Sequence, residues 1–324
     1  MEKINPLVSI GIPAYNHERY VQDCIRSIMD QDYENIELIV IDDGSTDDTW
    51  NKIMEMRPLC EKRFKRFVAQ RQENQGAAET GRRLKAQANG ILFGVIASDD
   101  QYLPGAISAL VKPLMEDEGI GLVVGVNEIM DSEGRTCYWD GERNIVYYEK
   151  SAVYRTFNEF IEHYSHIDFY SDQFGSYQEL IKVNHVPNGS LQRLSIYTTV
   201  LPKADGPLLE DWWFHLQFSK VAKYKAIPQH TFRYRWHATN TIKNKAYIAR
   251  TVEVTRICER DLLVSMTDQK WRDLARPWIN VVRVKWKFWK FFIWTVDTVD
   301  EHIVRIGHFR LPLTVLRKRL MTHV

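Results

Sequence analysis

Two pairs of adjacent carboxylates, Asp42-Asp43 and Asp99-Asp100, each follow a short apolar run. The runs Ile36–Ile41 (IELIVI) and Ile91–Ala97 (ILFGVIA) do not alternate, which is the pattern of strands buried on both faces of a parallel sheet. Residues just past the C-terminal ends of such strands border the crevice where open α/β sheets bind ligands. Hard carboxylate oxygens gathered there suit Mg2+ or Mn2+ bound jointly with substrate phosphates. Taken singly, Asp-Asp-Gly-Ser is also a turn and helix cap. The matching placement of both pairs favours the metal reading. Glu210-Asp211 adds two more carboxylates at the start of an expected helix, a position that equally suits an N-terminal cap. Adjacent helical residues point about 100° apart, so only one of the two can face a ligand. Arg235 and His237 alternate along an expected extended segment and so share a face.

The elements that must hold these groups follow from periodicity. Leu7–Ile12 (LVSIGI), ended by Pro13, reads as the first buried strand. Val21, Cys24, Ile25, Ile28 and Met29 then make the apolar stripe of a helix. With Ile36–Ile41 they form a right-handed βαβ unit. Further strands are expected at Arg66–Ala69 and Gly121–Val126, and a helix from the Glu73–Gly76 turn to about Ala88. Beyond residue 130 the pattern loosens, and order returns at Asn184–Leu194, in a helix at Glu210–Val221, and at Ala226–Trp236. No internal repeat or low-complexity tract is visible.

Composition bounds the answer. The 324 residues are 44% hydrophobic and 26% charged, an ordinary globular balance that excludes disorder and fibrous architectures. The four cysteines, Cys24, Cys60, Cys137 and Cys258, form no CxxC pair, so neither a disulfide framework nor a zinc site is expected. A net charge of +1 gives no nucleic-acid signature. The charge is segregated, however: from Lys270 onward 12 Lys+Arg face 4 Asp+Glu, leaving the tail at +8 and the rest at −7. Five of the ten tryptophans also lie beyond residue 270. As a helix, Trp278–Val296 would carry Asn280, Arg283, Lys287 and Lys290 on one stripe and aromatic residues elsewhere, the pattern of a helix lying in an anionic membrane surface. Arg317-Lys318-Arg319 would add to that attraction. Val282–Phe288 also alternates, which fits a strand or a packed brace. No secretory signal and no run of 18 uncharged apolar residues is seen, so a cytoplasmic protein peripheral to the inner face of a membrane is expected.

The motifs resemble those of the family 2 glycosyltransferases of the GT-A fold. The matching segments are Pro13-Ala14-Tyr15-Asn16, Ile41-Asp42-Asp43-Gly44-Ser45-Thr46-Asp47, Asn74-Gln75-Gly76, Ala97-Ser98-Asp99-Asp100 with Pro104, Glu210-Asp211-Trp212, and Tyr234-Arg235-Trp236-His237. They run in order over residues 6–240. Two departures stand out: Ala97 replaces a frequent acidic residue, and Thr80-Gly81-Arg82-Arg83 replaces an Ala-Arg-Asn run, so Arg82 and Arg83 read as solvated helix charges. The resemblance implies an α/β, GT-A catalytic domain over 1–240, with a nucleotide-sugar part (1–130) and an acceptor part (131–240). A helical, basic, tryptophan-rich region over 241–324 would follow. It implies a UDP-sugar donor lined by Pro13, Tyr15, Asn16, Asn74, Ser98 and Asp99, with Asp42 or Asp43 accepting from the base. Asp100, with Asp99 as a second candidate, would hold Mn2+ or Mg2+, joined by His237, while Arg235 and His237 clamp the diphosphate. Asp211 would be the general base, supported by Glu210, in an inverting, non-processive transfer to a glycan on a polyprenyl-diphosphate lipid. Asn188-Gly189-Ser190 and Arg193 would lie on the acceptor side. Two other readings are a sugar-nucleotide pyrophosphorylase, which needs a glycine-rich basic loop where Pro13–Asn16 stands, and an inactive binding module, which has no need of both Asp100 and Asp211. The transferred sugar, the linkage and the oligomeric state are not specified.

Overall fold

The computed structural model describes residues 5–200, 209–279, 281–288, 291–299, 302–306 and 309–312, with side chains left undescribed at 198–200, 281–288, 291–295, 302–306 and 309–312. The chain divides into two compact units. The first holds 1–179, 184–201 and 217–240; the second holds 180–183, 202–216 and 241–324.

In chain order the first elements are β1 (Val8–Ala14), α1 (Val21–Met29), β2 (Ile36–Asp42), α2 (Thr49–Arg63), β3 (Arg66–Arg71), α3 (Ala77–Gln87), β4 (Leu92–Val95), β5 (Gln101–Tyr102) and α4 (Ala106–Glu116). There follow β6 (Ile120–Met130), β7 (Thr136–Trp139), β8 (Ile145–Val146), α5 (Phe157–Ser165), α6 (Tyr177–Leu180), β9 (Leu191–Arg193), α7 (Leu194–Val200), α8 (Glu210–Phe218) and β10 (Lys223–Arg235). One sheet has the order β3-β2-β1-β4-β9-β6-β10-β5, with β7 and β8 continuing from β6. The pairs β2–β3, β1–β2, β1–β4 and β6–β10 are parallel. Because β9 runs antiparallel to both β4 and β6, the strands β3, β2, β1, β4, β6 and β10 all point the same way. Their C-terminal ends, Asp42, Ala14, Val95, Met130 and Arg235 among them, therefore share one edge of the sheet.

Both faces of the parallel half are buried, which is why its strands read as unbroken apolar runs. Ile10, Ile12, Leu38 and Val40 pack with Val21, Cys24, Ile25 and Ile28 of α1, Ile53 and Met56 of α2, and Ile107 and Leu110 of α4. The opposite face, Ile39, Ile41 and Phe93, is covered by Leu84 of α3. Each fully buried aliphatic side chain contributes about 1.5–3 kcal/mol. The helix α2 buries only Thr49, Ile53, Met56 and Cys60 and contains Pro58, so its pattern does not stand out in the sequence.

In the second unit, α9 (Lys245–Ser265) and α10 (Gln269–Ala275) precede β11 (Val281–Phe288), β12 (Phe291–Asp297), β13 (His302–Ile306) and β14 (Phe309–Pro312). The four strands form an antiparallel sheet in that order. The helix expected over Trp278–Val296 is thus not formed; the period-two alternation within it prevails. Trp289, Lys290 and Arg317–Arg319 lie outside the described residues, as do the side chains of Arg283, Lys285, Trp286, Lys287 and Trp294. On α9 the buried residues are Thr251, Thr255, Glu259 and Leu263, one per turn. Thr255 Oγ1 accepts the Leu209 amide (2.9 Å), and Arg256 lies over the Trp212 ring (5.8 Å), which ties the start of α8 to α9. Among the described residues no helix is long and apolar enough to cross a membrane.

Candidate active site

The loops after β1 and β2 are laced together. Asn16 has a φ of 52°, a left-handed conformation that asparagine tolerates, and it turns the chain after Tyr15. Its side-chain oxygen accepts the Thr46 amide (2.8 Å), while its own amide donates to Ser45 Oγ (2.9 Å). Glu18 and Asp47 each accept a backbone amide from the other's loop, and the His17 amide donates to Thr49 Oγ1 (2.8 Å). Tyr15 is left 46% exposed on the rim, beside half-buried Pro13, while His17 is directed toward the next strand end.

The first acidic pair is committed to this scaffold. Asp42 is fully buried; Oδ1 accepts from the Ser45 amide and hydroxyl, and Oδ2 lies 3.0 Å from Arg71 Nε. Asp43 is 5% exposed and gathers the Asn74-Gln75-Gly76 turn: Oδ1 accepts from Gln75 N and Gln72 Nε2, and Oδ2 from Gly76 N (2.9 Å). Gly44, at φ 75°, carries that turn so closely that a Cβ would stand 2.7 Å from Asn74 N. Asp42 thus has no open side toward a base, whereas Asp43 Oδ2 keeps acceptor capacity.

At the end of β4 the second pair splits. Asp99 Oδ2 lies 2.8 Å from His237 Nε2, and Asp99 Oδ1 lies 3.9 Å from His17 Nδ1. His17, Asp99 and His237 each offer one donor atom within 4.8 Å of the others. Thr239 Oγ1 lies 2.9 Å from His237 Nδ1, which leaves Nε2 for the centre. Ser98 Oγ lies 2.8 Å from His17 Nδ1. Tyr20 packs against both imidazoles, with ring centroids 5.8 and 5.4 Å away. Burial alone would raise the Asp99 carboxyl, but the hydrogen bond from His237 and the two nearby imidazoles outweigh it and hold the group below its usual range. Burial holds His17 below the usual imidazole value, with Asp99 opposing.

Asp100 behaves otherwise. It is 2% exposed, and its Oδ1 accepts the Arg235 backbone amide (2.9 Å). Burial first, and then repulsion from Asp99, drive its carboxyl well above the ordinary value. Asp100, read from sequence as a metal ligand, is not one of the three donors of the His17–Asp99–His237 group. Arg235, expected to clamp a diphosphate, lies beside Asp100. Its guanidinium is buried, donating through Nε to Asp99 O (2.6 Å) and through Nη1 to Asp131 O and Ser132 O, beneath the Tyr20 ring. These three carbonyl contacts brace the loop, while Nη2 is left buried without a hydrogen-bond partner. His237 lies beyond β10 and meets the Asp99 carboxylate, whereas the Arg235 guanidinium meets the Asp99 carbonyl.

Other expected residues fall as follows. Glu210 and Asp211 form the first turn of α8, within the second unit, with Asp211 exposed and Glu210 half-buried. Burial, with Asp211 beside it, raises the Glu210 carboxyl. Arg193 donates to the carbonyls of Leu114, Asp117 and Ile120, capping the C-terminal end of α4. Gly189, at φ 80°, packs against Phe232, and the Asn188 carbonyl accepts from Asn127, so this segment is a structural turn. Arg82 and Arg83 pair with Glu79 on α3. Two residues were missed. His17 follows the Pro13–Asn16 motif, and only its folded position reveals it. Asp131, at the end of β6, closes a hairpin by accepting from Arg135 and Tyr147 and sits far down the acid scale at about 2, where those hydrogen bonds overcome its burial.

Comparison with known proteins decides the family. The model for glycosyl transferase family 2 matches residues 9–179. The chain belongs to that family. A chondroitin synthase of Escherichia coli is 35% identical over 130 residues, which is 40% of this chain and 18% of that protein. The chain therefore aligns with less than a fifth of that relative's length. A GalNAc(5)-diNAcBac-PP-undecaprenol beta-1,3-glucosyltransferase of Campylobacter jejuni is 32% identical over 129 residues, 40% of each chain. Among solved structures, S. aureus TarS 1–349 in complex with UDP-GlcNAc superposes with a TM-score of 0.57 over 85% of this chain and 72% of that one, at 14% identity. That likeness, with the sheet order above, establishes the GT-A fold.

Proposed function

We propose that the protein transfers a sugar from a nucleotide sugar, a UDP-sugar, to a hydroxyl of a bacterial surface glycan, one sugar per encounter and with inversion. The carrying observation is Asp99 and His237 meeting 2.8 Å apart at the edge where six strands end. Two such donors, one presented by Thr239, fit adjacent positions around a single divalent ion, Mn2+ or Mg2+. A bound ion of that kind stabilises the charge that builds on a departing diphosphate. The protein's own part is to place the donor. Tyr15 and Pro13 offer a rim for the base and ribose, Asn16 fixes that rim, and Asp43 Oδ2 accepts from a base N–H. Arg235 and Asp100 lock the loop that carries Asp99. Asp211, exposed at the first turn of α8, takes the acceptor's proton as it attacks. The similarity to the C. jejuni protein, whose name describes an undecaprenyl-diphosphate-linked acceptor, supports a lipid-linked glycan as acceptor. The acidic first part and basic tail support docking on the cytoplasmic face of the membrane.

The test is a panel of UDP-sugars with Mn2+ against undecaprenyl-diphosphate-linked acceptors. The expected result is addition of one sugar, abolished by EDTA and restored by Mn2+. Formation of a nucleotide sugar from sugar phosphate and nucleoside triphosphate, with no transfer, would contradict the reading.

A further inference from the structure

We propose that His17 is a third donor to the ion of Asp99 and His237, and that this chain consequently binds a divalent transition ion before any nucleotide. The inference rests on the metal reading of Asp99 and His237 above and extends it to a residue, a metal preference and an order of binding.

Geometry comes first. With bonds of about 2.1 Å, two donors on one ion stand about 3 Å apart when adjacent and about 4.2 Å apart when opposite. The observed separations are 2.8 Å between His237 Nε2 and Asp99 Oδ2 and 3.9 Å between His17 Nδ1 and Asp99 Oδ1, and all three donors fall within 4.8 Å of one another. Small side-chain rotations bring them onto one centre. Loading exchanges the Ser98 hydrogen bond at His17 Nδ1 for a coordinate bond. The three residues are also held ready. The His17 backbone is pinned to Thr49, the outer nitrogen of His237 to Thr239, and the Asp99 carbonyl to Arg235. Such outer contacts orient metal ligands and raise affinity.

The donor set then dictates the chemistry. A single carboxylate on a wet sheet edge binds Mg2+ weakly and depends on substrate phosphates to complete the shell. Two imidazoles beside that carboxylate change the preference. Imidazole nitrogens favour Zn2+ and Co2+, and to a lesser degree Mn2+, over Mg2+ and Ca2+, and open zinc sites hold their ion through three protein ligands. The ion would then be resident, with its remaining positions open for a diphosphate.

The experiment titrates the full-length protein with MnCl2 without nucleotide, following loss of the free-ion six-line EPR signal, with pulsed EPR to count nitrogen couplings. The wild type should bind one Mn2+ with couplings from two imidazoles, and a tenfold excess of Mg2+ should not displace it. His17→Gln and His17→Ala should each weaken binding at least about tenfold and leave one imidazole coupling, with melting curves confirming that both are folded. Failure of the wild type to bind Mn2+ without nucleotide, or unchanged affinity in folded His17 variants, overturns the proposal. Mn2+-dependent transfer without nucleotide-free binding would remove this inference alone; transfer indifferent to EDTA would remove the proposed metal role as well.

Discussion

The carboxylate at position 99 meets two imidazoles, while the one at position 100 meets a backbone amide, and nothing in the sequence separates them. Residue type and strand end were legible; which way each side chain turns depends on β10 arriving alongside, with Arg235 filling the space behind Asp100. The same limit hid His17, whose role requires the loops after β1, β4 and β10 to converge. Another buried acid is held by structural contacts alone. Glu37, inside the apolar run of β2, is fully buried and accepts from Ser9 Oγ, Asn89 Nδ2 (3.1 Å), Gly90 N (3.3 Å) and Arg66 Nη1 (3.0 Å). Burial alone would raise its carboxyl; the bonds from Asn89, Ser9 and Arg66 prevail and lower it. Its folded pKa therefore lies below the unfolded value of about 4.3. The resulting stabilisation is complete above that pH and disappears as pH falls through the folded value. Glu37→Ala should cost about 3 kcal/mol at pH 7 and flatten the acid limb of the stability profile. Urea unfolding across pH 3–7 checks this, and an alanine variant as stable as wild type would refute it.

At the scale of elements, β1, α1, β2 and β4 were readable because both faces of the parallel half are buried and α1 keeps a clean apolar stripe. The tail misled because basic residues at 283, 285 and 287 satisfy a two-residue period and those at 283, 287 and 290 a helical one. Pairing of β11 with β12, β13 and β14 favours the strand, and such pairing is a long-range event that no local pattern encodes. The first turn of α8 holds the proposed general base. Asp211→Asn keeps the shape of the side chain and removes its basicity, so transfer should fall about 10²–10⁴-fold while donor binding is nearly unchanged. Steady-state kinetics with calorimetry of donor binding separates the two effects. A dead Glu210→Gln beside an active Asp211→Asn would assign the base to the other carboxylate.

Across the whole molecule, charge is divided between a −7 portion and a +8 tail, and that division was visible from composition alone. Binding to anionic liposomes should weaken as ionic strength passes about 0.15 M, where the Debye length is about 8 Å. Replacing Lys285, Lys287 and Lys290 with Glu should release the protein from such vesicles while sparing turnover of a short soluble acceptor; retention of the triple variant would exclude the tail as the anchor. The central claim is that the common sheet edge makes a metal-assisted sugar-transfer site organised by Asp99. Mn2+-dependent turnover of a UDP-sugar, compared across wild type, Asp99→Asn and Asp100→Asn, tests it most directly. The wild type should be silenced by EDTA, Asp99→Asn should lose at least about a hundredfold, and Asp100→Asn, which still accepts the Arg235 amide, should retain most activity. Wild-type turnover undiminished in EDTA, or an active Asp99→Asn beside a dead Asp100→Asn, would contradict it.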